Sequence, residues 1–245
     1  FVKLSGLGTR INTPQTRDLI SRLNLAAITV LNNKNDVLPL HPDLKEAAIL
    51  NVGKPEEIEP FDRKMKKYTS FARFQLRKDQ PEAEQQKLRD SLAAYRRVIV
   101  TVTEQRLAPY QSFFAKFAPE SPVIYVFYTP AKSMLQIQRA VSVAEAVVLA
   151  HASRDDVQER VADLLFGKAT ADGRLPASIG GLFPTGSGVT ITPHTPFHFV
   201  PEEYGMKSEV LRRIDTIALE GIKEGAYPGC QVLVMKDGKA LYDRC

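Results

Sequence analysis

Apolar residues in this chain come in short unbroken runs separated by stretches of helical periodicity. AAILNV (47–52), VIVTVT (98–103), VIYVFY (123–128) and AVVLA (146–150) are continuous rather than alternating, and mostly rich in β-branched or aromatic residues. Runs of that kind belong to strands covered on both faces. YTSFARFQL (68–76) alternates more and predicts another strand, nearer a sheet edge. Between the runs, 81–95, 105–118, 131–141 and 154–166 repeat with helical spacing. Upstream, Thr13 before Pro14 predicts an N-cap with proline at the first helical position. Leu19, Ile20, Leu23, Ala26 and Ala27 then mark one helix face. The helix leads into ITVLNNKNDVLPL, a short apolar run and a polar turn. Strand and helix alternate, which predicts an α/β three-layer sandwich around a five- or six-stranded, mainly parallel sheet.

The texture changes after residue 180. Gly, Pro, Thr and Ser dominate up to Pro201, which predicts an extended connector over 181–201. A second amphipathic helix is expected to start at Ser208 as N-cap, to carry Leu211, Ile214, Ile217, Ala218 and Ile222, and to stop near Gly225. Two strands around Asp237-Gly238 follow, a type I′ hairpin signal. Residues 202–245 thus read as an incomplete α+β tail, expected to fold poorly or to lean on the sandwich. The chain opens on Phe1 rather than Met, and is expected to be a middle piece of a longer protein.

Composition adds little. With 245 residues, 44% of them hydrophobic, a sizeable core and a soluble globular protein are expected. The net charge of +5 comes from scattered Lys and Arg, with one dense run, Arg63-Lys64-Met65-Lys66-Lys67. That run is read as a solvated helix face; no nucleic-acid motif accompanies it, so no nucleic-acid partner is expected. Cys230 and Cys245 are the only cysteines and form no metal pair, and no window reaches the length of a membrane span.

The residues that carry chemistry are sparse. No serine has a lysine three positions on, and no G-x-S-x-G elbow occurs. His41, His151, His194 and His198 are scattered. His194 and His198 lie four apart, but Pro196 between them breaks any helix, so no metal site is expected. Gly6-Leu7-Gly8 follows no strand, and no cofactor is expected. Two weak catalytic candidates remain. Glu104 follows VIVTVT at the carboxyl end of a strand, where α/β sheets present ligand-facing groups; its plainer alternative, which is favoured, is a first-turn helix acid. His151 follows AVVLA in the same way, with a capping or packing role as the favoured alternative.

AAITVLNNKNDVLPL (26–40), VIVTVT, VIYVFYTP and VADLLFGKATADGRLPASI (161–179) resemble the C-terminal α/β sandwich domain of glycoside hydrolase family 3, over residues 1–180. PEEYGMKSEVLRRID and EGAYPGCQVLVMKDGKALYDR, in 202–245, resemble the opening of a serine β-lactamase-like domain. Such fusions occur among bacterial β-N-acetylglucosaminidase-like proteins, and the resemblance implies a periplasmic or cell-envelope parent. In the family the aspartate nucleophile sits on an N-terminal TIM barrel. In its β-glucosidases the sandwich often supplies the general acid, whereas the N-acetylglucosaminidase branch uses an Asp/His pair of the barrel, which takes weight from Glu104. The resemblance therefore implies a non-catalytic domain that packs on a barrel and shapes a site for N-acetylglucosamine-type carbohydrate. The 245 residues alone are expected to be inactive within a parent that hydrolyses O-glycosyl bonds. A stand-alone carbohydrate-binding or scaffolding module is the alternative; a flavodoxin-like nucleotide binder is disfavoured because no Gly-rich loop follows a strand. Within the string 164–179, Gly167 is expected to end a helix in the left-handed conformation, Asp172-Gly173 to form a tight turn, and Arg174 to make a structural contact to a carbonyl or carboxylate.

Overall fold

A computed structural model describes residues 8, 11–40, 47–117, 123–193, 201–236 and 239–244. The chain divides into two compact units, Phe1–Thr192 and Pro193–Cys245.

The first unit is an α/β sandwich. Helix α1 (Pro14–Ala26) leads into strand β1 (Thr29–Asn33). Then follow β2 (Ala47–Val52), α2 (Glu59–Met65), β3 (Ala72–Leu76), α3 (Glu82–Ala93), β4 (Arg97–Val102), α4 (Gln111–Lys116), β5 (Val123–Phe127), α5 (Gln138–Val143), β6 (Ala146–Leu149) and α6 (Asp155–Leu165). The six strands are ordered β1-β6-β5-β4-β2-β3. β1 pairs antiparallel with β6, and the other pairs are parallel. The chain moves outward from β2 to β3, then crosses back to β4, so the winding reverses between β2 and β4.

Each central strand is buried on both faces, which is why its sequence is a continuous apolar run. Successive side chains point to opposite faces. Leu50, Val100 and Phe127 pack on one side with Leu92 of α3, Phe113 of α4 and Val141 of α5. Ile49, Ile99, Val126 and Val148 pack on the other with Phe61 and Met65 of α2 and Val157 and Val161 of α6. Burial of Phe61 and Met65, both fully enclosed, stabilises the docking of α2 by roughly 1.5–3 kcal/mol each. The basic run lies on and just beyond this helix. Arg63 pairs with Glu159 and Lys64 with Asp163, both on α6. YTSFARFQL yields the edge strand β3, as expected.

Several expectations need correction. ITVLNN forms a strand, β1, where only a short run and a turn were expected; its apolar part is brief because it closes the sheet from one edge. The helix expected over 105–118 is shorter, a 3-10 turn at Ala108–Tyr110 followed by α4, and that over 131–141 is mostly 3-10 before α5 begins. Asp172-Gly173 makes no tight turn. Gly173 instead passes against β1, where a Cβ would stand 2.5 Å from the Ile28 carbonyl oxygen. Residues beyond 180 pack back on the sandwich: Val30 bridges Val189 and Ala171 bridges Ile191. Thr13 does cap α1, accepting from the Thr16 N–H. Gly167 does end α6, at φ 67, with the Lys168 N–H donating to Asp163 O and the Gly167 N–H to Leu164 O. This is the paired bonding of a Schellman cap. Arg174 donates to the carbonyls of Asp172 and Gly173 and to Thr190 Oγ1, the structural contact expected of it.

The second unit holds α7 (Ser208–Lys223) and a hairpin of β7 (Val232–Lys236) and β8 (Lys239–Arg244). Ser208 is the first helical residue, not the cap. Its N–H and hydroxyl both donate to the Glu202 carboxylate, which takes the capping role. Gly225 ends the helix at φ 73. Asp237-Gly238, His41, His194, His198 and Cys245 lie outside the described residues. Among the described residues, no helix is long and apolar enough to cross a membrane.

Candidate functional site

A cleft of about 640 Å³ opens over the carboxyl ends of the parallel strands. Thr103 and Gln105 reach it from the loop after β4, Tyr128 and Pro130 from the end of β5, and His151, Ala152 and Ser153 from the loop after β6. Glu56, Glu57 and Glu59 enter from the turn after β2 and the start of α2, Arg63 from α2, and Asp155 and Gln158 from α6. Open parallel sheets bind ligands at this edge, close to the reversal of winding, because successive loops diverge there and leave a crevice.

The floor is rigid. Gln158, 1% exposed, accepts from the Phe61 N–H at 3.2 Å and donates to Glu57 O at 2.7 Å and Ser153 Oγ at 3.1 Å. One buried amide thereby ties α6 to both the turn before α2 and the loop after β6. Beside it, Asn51 of β2 accepts from Thr101 Oγ1 and donates to Gln75 Oε1 and Lys54 O, which fixes the path of the chain leaving β2.

His151 sits in a conformation rare for a residue with a side chain, at φ 63. The Ala152 N–H donates to Ala150 O across it, which makes a tight three-residue turn of the strained hand. Strain of this kind concentrates at ligand-facing positions. Desolvation holds the half-buried imidazole below the ordinary histidine range, so it is neutral at pH 7. Tyr128 is 3% exposed, and its hydroxyl has no hydrogen-bond partner among the described residues. Burial, reinforced by the negative charge of Asp62, keeps it a protonated phenol. Thr103 Oγ1 is also buried without a partner among the described residues.

Glu104 stands between two lining residues but turns back on its own loop, where its Oε1 accepts from the Arg106 N–H at 2.9 Å. The loop is clamped from outside by Gln136, whose Oε1 accepts from the Leu107 and Ala108 N–H groups and whose amide donates to Gln105 O. The structure thus brings His151 into the cleft and leaves Glu104 as a local cap on its margin. Tyr128, Gln158 and the Glu56–Glu59 acids escaped the sequence reading. Position just past a β-run is the signal for Tyr128, and a lone amide on the apolar face of α6 is the signal for Gln158. Among the described residues, no group of three or more His, Cys, Asp and Glu is arranged to hold a metal.

Neither a family model nor a curated protein sequence matches the chain. Solved structures do. A fungal multi-domain GH3 β-N-acetylglucosaminidase that carries a GCN5-related glucosamine N-acetyltransferase region matches with a TM-score of 0.53 at 17% identity, over 79% of this chain and 22% of that one. The β-glucosidase from Listeria innocua in complex with glucose matches with a TM-score of 0.52 at 14% identity, over 70% and 28%. The β-glucoside phosphorylase BglX bound to 2FGlc gives 0.51 at 15%, over 73% and 34%. The chain covers about a fifth to a third of the length of these proteins, and what it has in common with that part of them is the fold: a six-stranded, mostly parallel sheet between helical layers.

Proposed function

We propose that residues 1–192 are the C-terminal sandwich domain of a family 3 glycoside hydrolase, whose role is to pack against a catalytic barrel and to form one wall of its carbohydrate site. The observation that carries this reading is helix α1. None of its residues is buried, and Leu19 and Leu23 are 51% and 61% exposed, beside Ile11 and Ile20. An apolar helix face of that extent marks a docking surface. Leu25 and a hydrogen bond from Ser21 Oγ to Asp156 at 2.5 Å tie the helix to the sandwich. The alternative, a stand-alone carbohydrate-binding module, calls for an exposed aromatic platform. Among the described residues, the exposed large apolar side chains are all aliphatic, which favours the docked domain.

In this reading the hydrolytic groups belong to the barrel, and the parent acts on N-acetylglucosamine-type sugars. Residues 202–245 would open a β-lactamase-like domain. Apolar side chains on both faces of β7 support that: Val232 and Val234 pack toward Leu211, Leu241 and Tyr242, whereas Leu233 and Met235 are exposed. A larger sheet would cover the second face.

The test is a binding assay between the 245-residue chain and the barrel encoded upstream of it in the parent reading frame. Tight association that Leu19→Glu with Leu23→Glu abolishes is expected. An upstream sequence without a barrel, or association untouched by the double substitution, would sink the reading. The chain alone is expected to release no chromophore from a nitrophenyl N-acetylglucosaminide.

A further inference from the structure

The two edges of the sheet differ. On the β1 edge, Val30 bridges Val189, so a later segment lies along the strand. At the opposite edge, nothing among the described residues pairs with the outer side of β3. Which of its groups face outward follows from the ladder. In a parallel sheet each residue turns its N–H and C=O to one neighbouring strand, and the next residue turns them to the other. Val52 O accepts from the Thr103 N–H, just past β4, so Val52 and Leu50 bond toward β4, and Asn51 and Ile49 toward β3. Asn51 stands opposite Gln75 and Ile49 opposite Arg73, and each bonds to the residues on either side of its opposite number. Phe74 and Leu76 are thereby used by β2, whereas Arg73 and Gln75 direct their N–H and C=O away from the sheet. Arg77 continues the outward series, and there Gln80 Oε1 already accepts from the N–H at 3.1 Å.

Strand edges are ordinarily protected by a bulge, a proline or a free charge. β3 has none of these. Its register with β2 runs unbroken from Ala72 to Leu76, no proline interrupts it, and its one charge, Arg73, is tied to Asp62 at 2.9 Å. Just beyond it, Arg77 is paired with Glu84 at 2.7 Å. The strand is also complementary to itself. In an antiparallel pair centred on Phe74, Arg73 stands opposite Gln75 of a second copy and Phe71 opposite Arg77, so no like charges face each other directly. The outward groups fall in step with that register: Arg73 and Gln75 form the hydrogen-bonded pairs, and Phe74 meets its own copy in the closer, non-bonded pair. Phe74 is half-buried beside Tyr95, with ring centroids 5.6 Å apart, and supplies an aromatic cross-strand contact.

We propose that the chain self-associates as a two-fold dimer through β3, each sheet continuing into the other across an antiparallel junction centred on Phe74. The contact is the same patch on both copies, so assembly closes at two. This goes beyond the docked-domain reading and does not rest on it, since α1 runs into β1 at the other edge of the sheet.

Sedimentation of the 245-residue chain over about 5 to about 500 µM is expected to shift from one chain to two, with no larger species. Over that range, hydrogen exchange should slow at least threefold at the Arg73 and Gln75 amides and stay constant at Phe74 and Leu76, which already bond to β2. Phe74→Cys, in a chain that also carries Cys230→Ser and Cys245→Ser, should cross-link under mild oxidation, because the facing Cα atoms stand ~4.5 Å apart in such a pair, within disulfide reach. Gln86→Cys in the same background, on the exposed face of α3, should not. The thermal transition checks that Phe74→Cys folds; if it does not, exchange on the unaltered chain decides. A single chain at every concentration, growth beyond two chains, or cross-linking no faster at position 74 than at 86 would overturn the proposal. So would protection of both amides in the monomer, which would mean that a segment of the same chain already lies along the edge. Docking to a barrel is measured separately, by the binding assay above.

Discussion

Gln158 accepts the Phe61 N–H and so joins the sixth helix of the sandwich to the second. Its amide also donates to Glu57 O and Ser153 Oγ, so one side chain holds three segments around the cleft. Replacing it with leucine keeps the volume and strands the Phe61 donor in a buried place, whereas Glu57 O keeps the Ser153 hydroxyl, which donates to it at 3.3 Å. Gln158→Leu is expected to cost about 1–3 kcal/mol, the cost of one unpaired buried group. Urea denaturation measures it. A loss below ~0.5 kcal/mol would show that the bridge is dispensable.

Two glycines separate backbone strain from crowding. Gly167 and Gly186 both have positive φ, at 67 and 83. A Cβ on Gly167 would meet Pro39 Cβ at 2.8 Å, whereas one on Gly186 would meet nothing within 4 Å. Gly186→Ala should therefore show only the left-handed backbone penalty, roughly 1–2 kcal/mol. Gly167→Ala should cost more, because Pro39 must also move. Equal thermal shifts for the two variants would contradict the packing.

His151 makes stability depend on pH in a defined direction. Its folded pKa is lowered by desolvation, so between that value and the unfolded value, near ~6.5, the unfolded chain binds the proton more readily. Its contribution is fully present above about pH 6.5 and is lost as pH falls toward the folded pKa. His151→Asn tolerates the positive φ and should flatten that part of the stability profile. An NMR titration should place the imidazole below the unfolded value; a normal or raised value would refute the assignment.

Leu19 and Leu23 are exposed, so Leu19→Ser with Leu23→Ser should change the stability of the isolated chain by less than about 0.5 kcal/mol. A larger loss would mean that α1 already packs within this chain.

The second unit has a small core, Leu211, Leu241 and Tyr242. An α-helix and a two-stranded hairpin bury little, so amides of β7 should exchange with solvent well before those of β4. Limited proteolysis should remove residues beyond 193 first. Survival of that tail for as long as the sandwich would contradict this account.

The fold was legible where burial is symmetric. AAILNV, VIVTVT, VIYVFY and AVVLA are apolar at every step or nearly so because helices cover both faces, and that pattern reads directly from the residues. β1 was not legible: its apolar part ends at Leu31, and its pairing is with Ala146–Leu149, far along the chain. Gly173 was misread for the same reason, because what restricts it is the distant backbone of Ile28. For the site, sequence position named His151 but not its strained turn, which depends on the Ala150–Ala152 bond. Tyr128 closes a strand run and looks like core; only the folded arrangement shows the residue at the edge of a cleft, its buried hydroxyl without a partner among the described residues.

The pairing of Thr29 with Leu149, sealed by Val30 against Val189, sets an order of events during synthesis. Strand β1, made before the rest of this sheet, must wait for the last strand of the sheet, and for a segment beyond it, before its own hydrogen bonds can close. Until residue 189 has emerged, the outer side of β1 stays bare and able to capture another nascent chain.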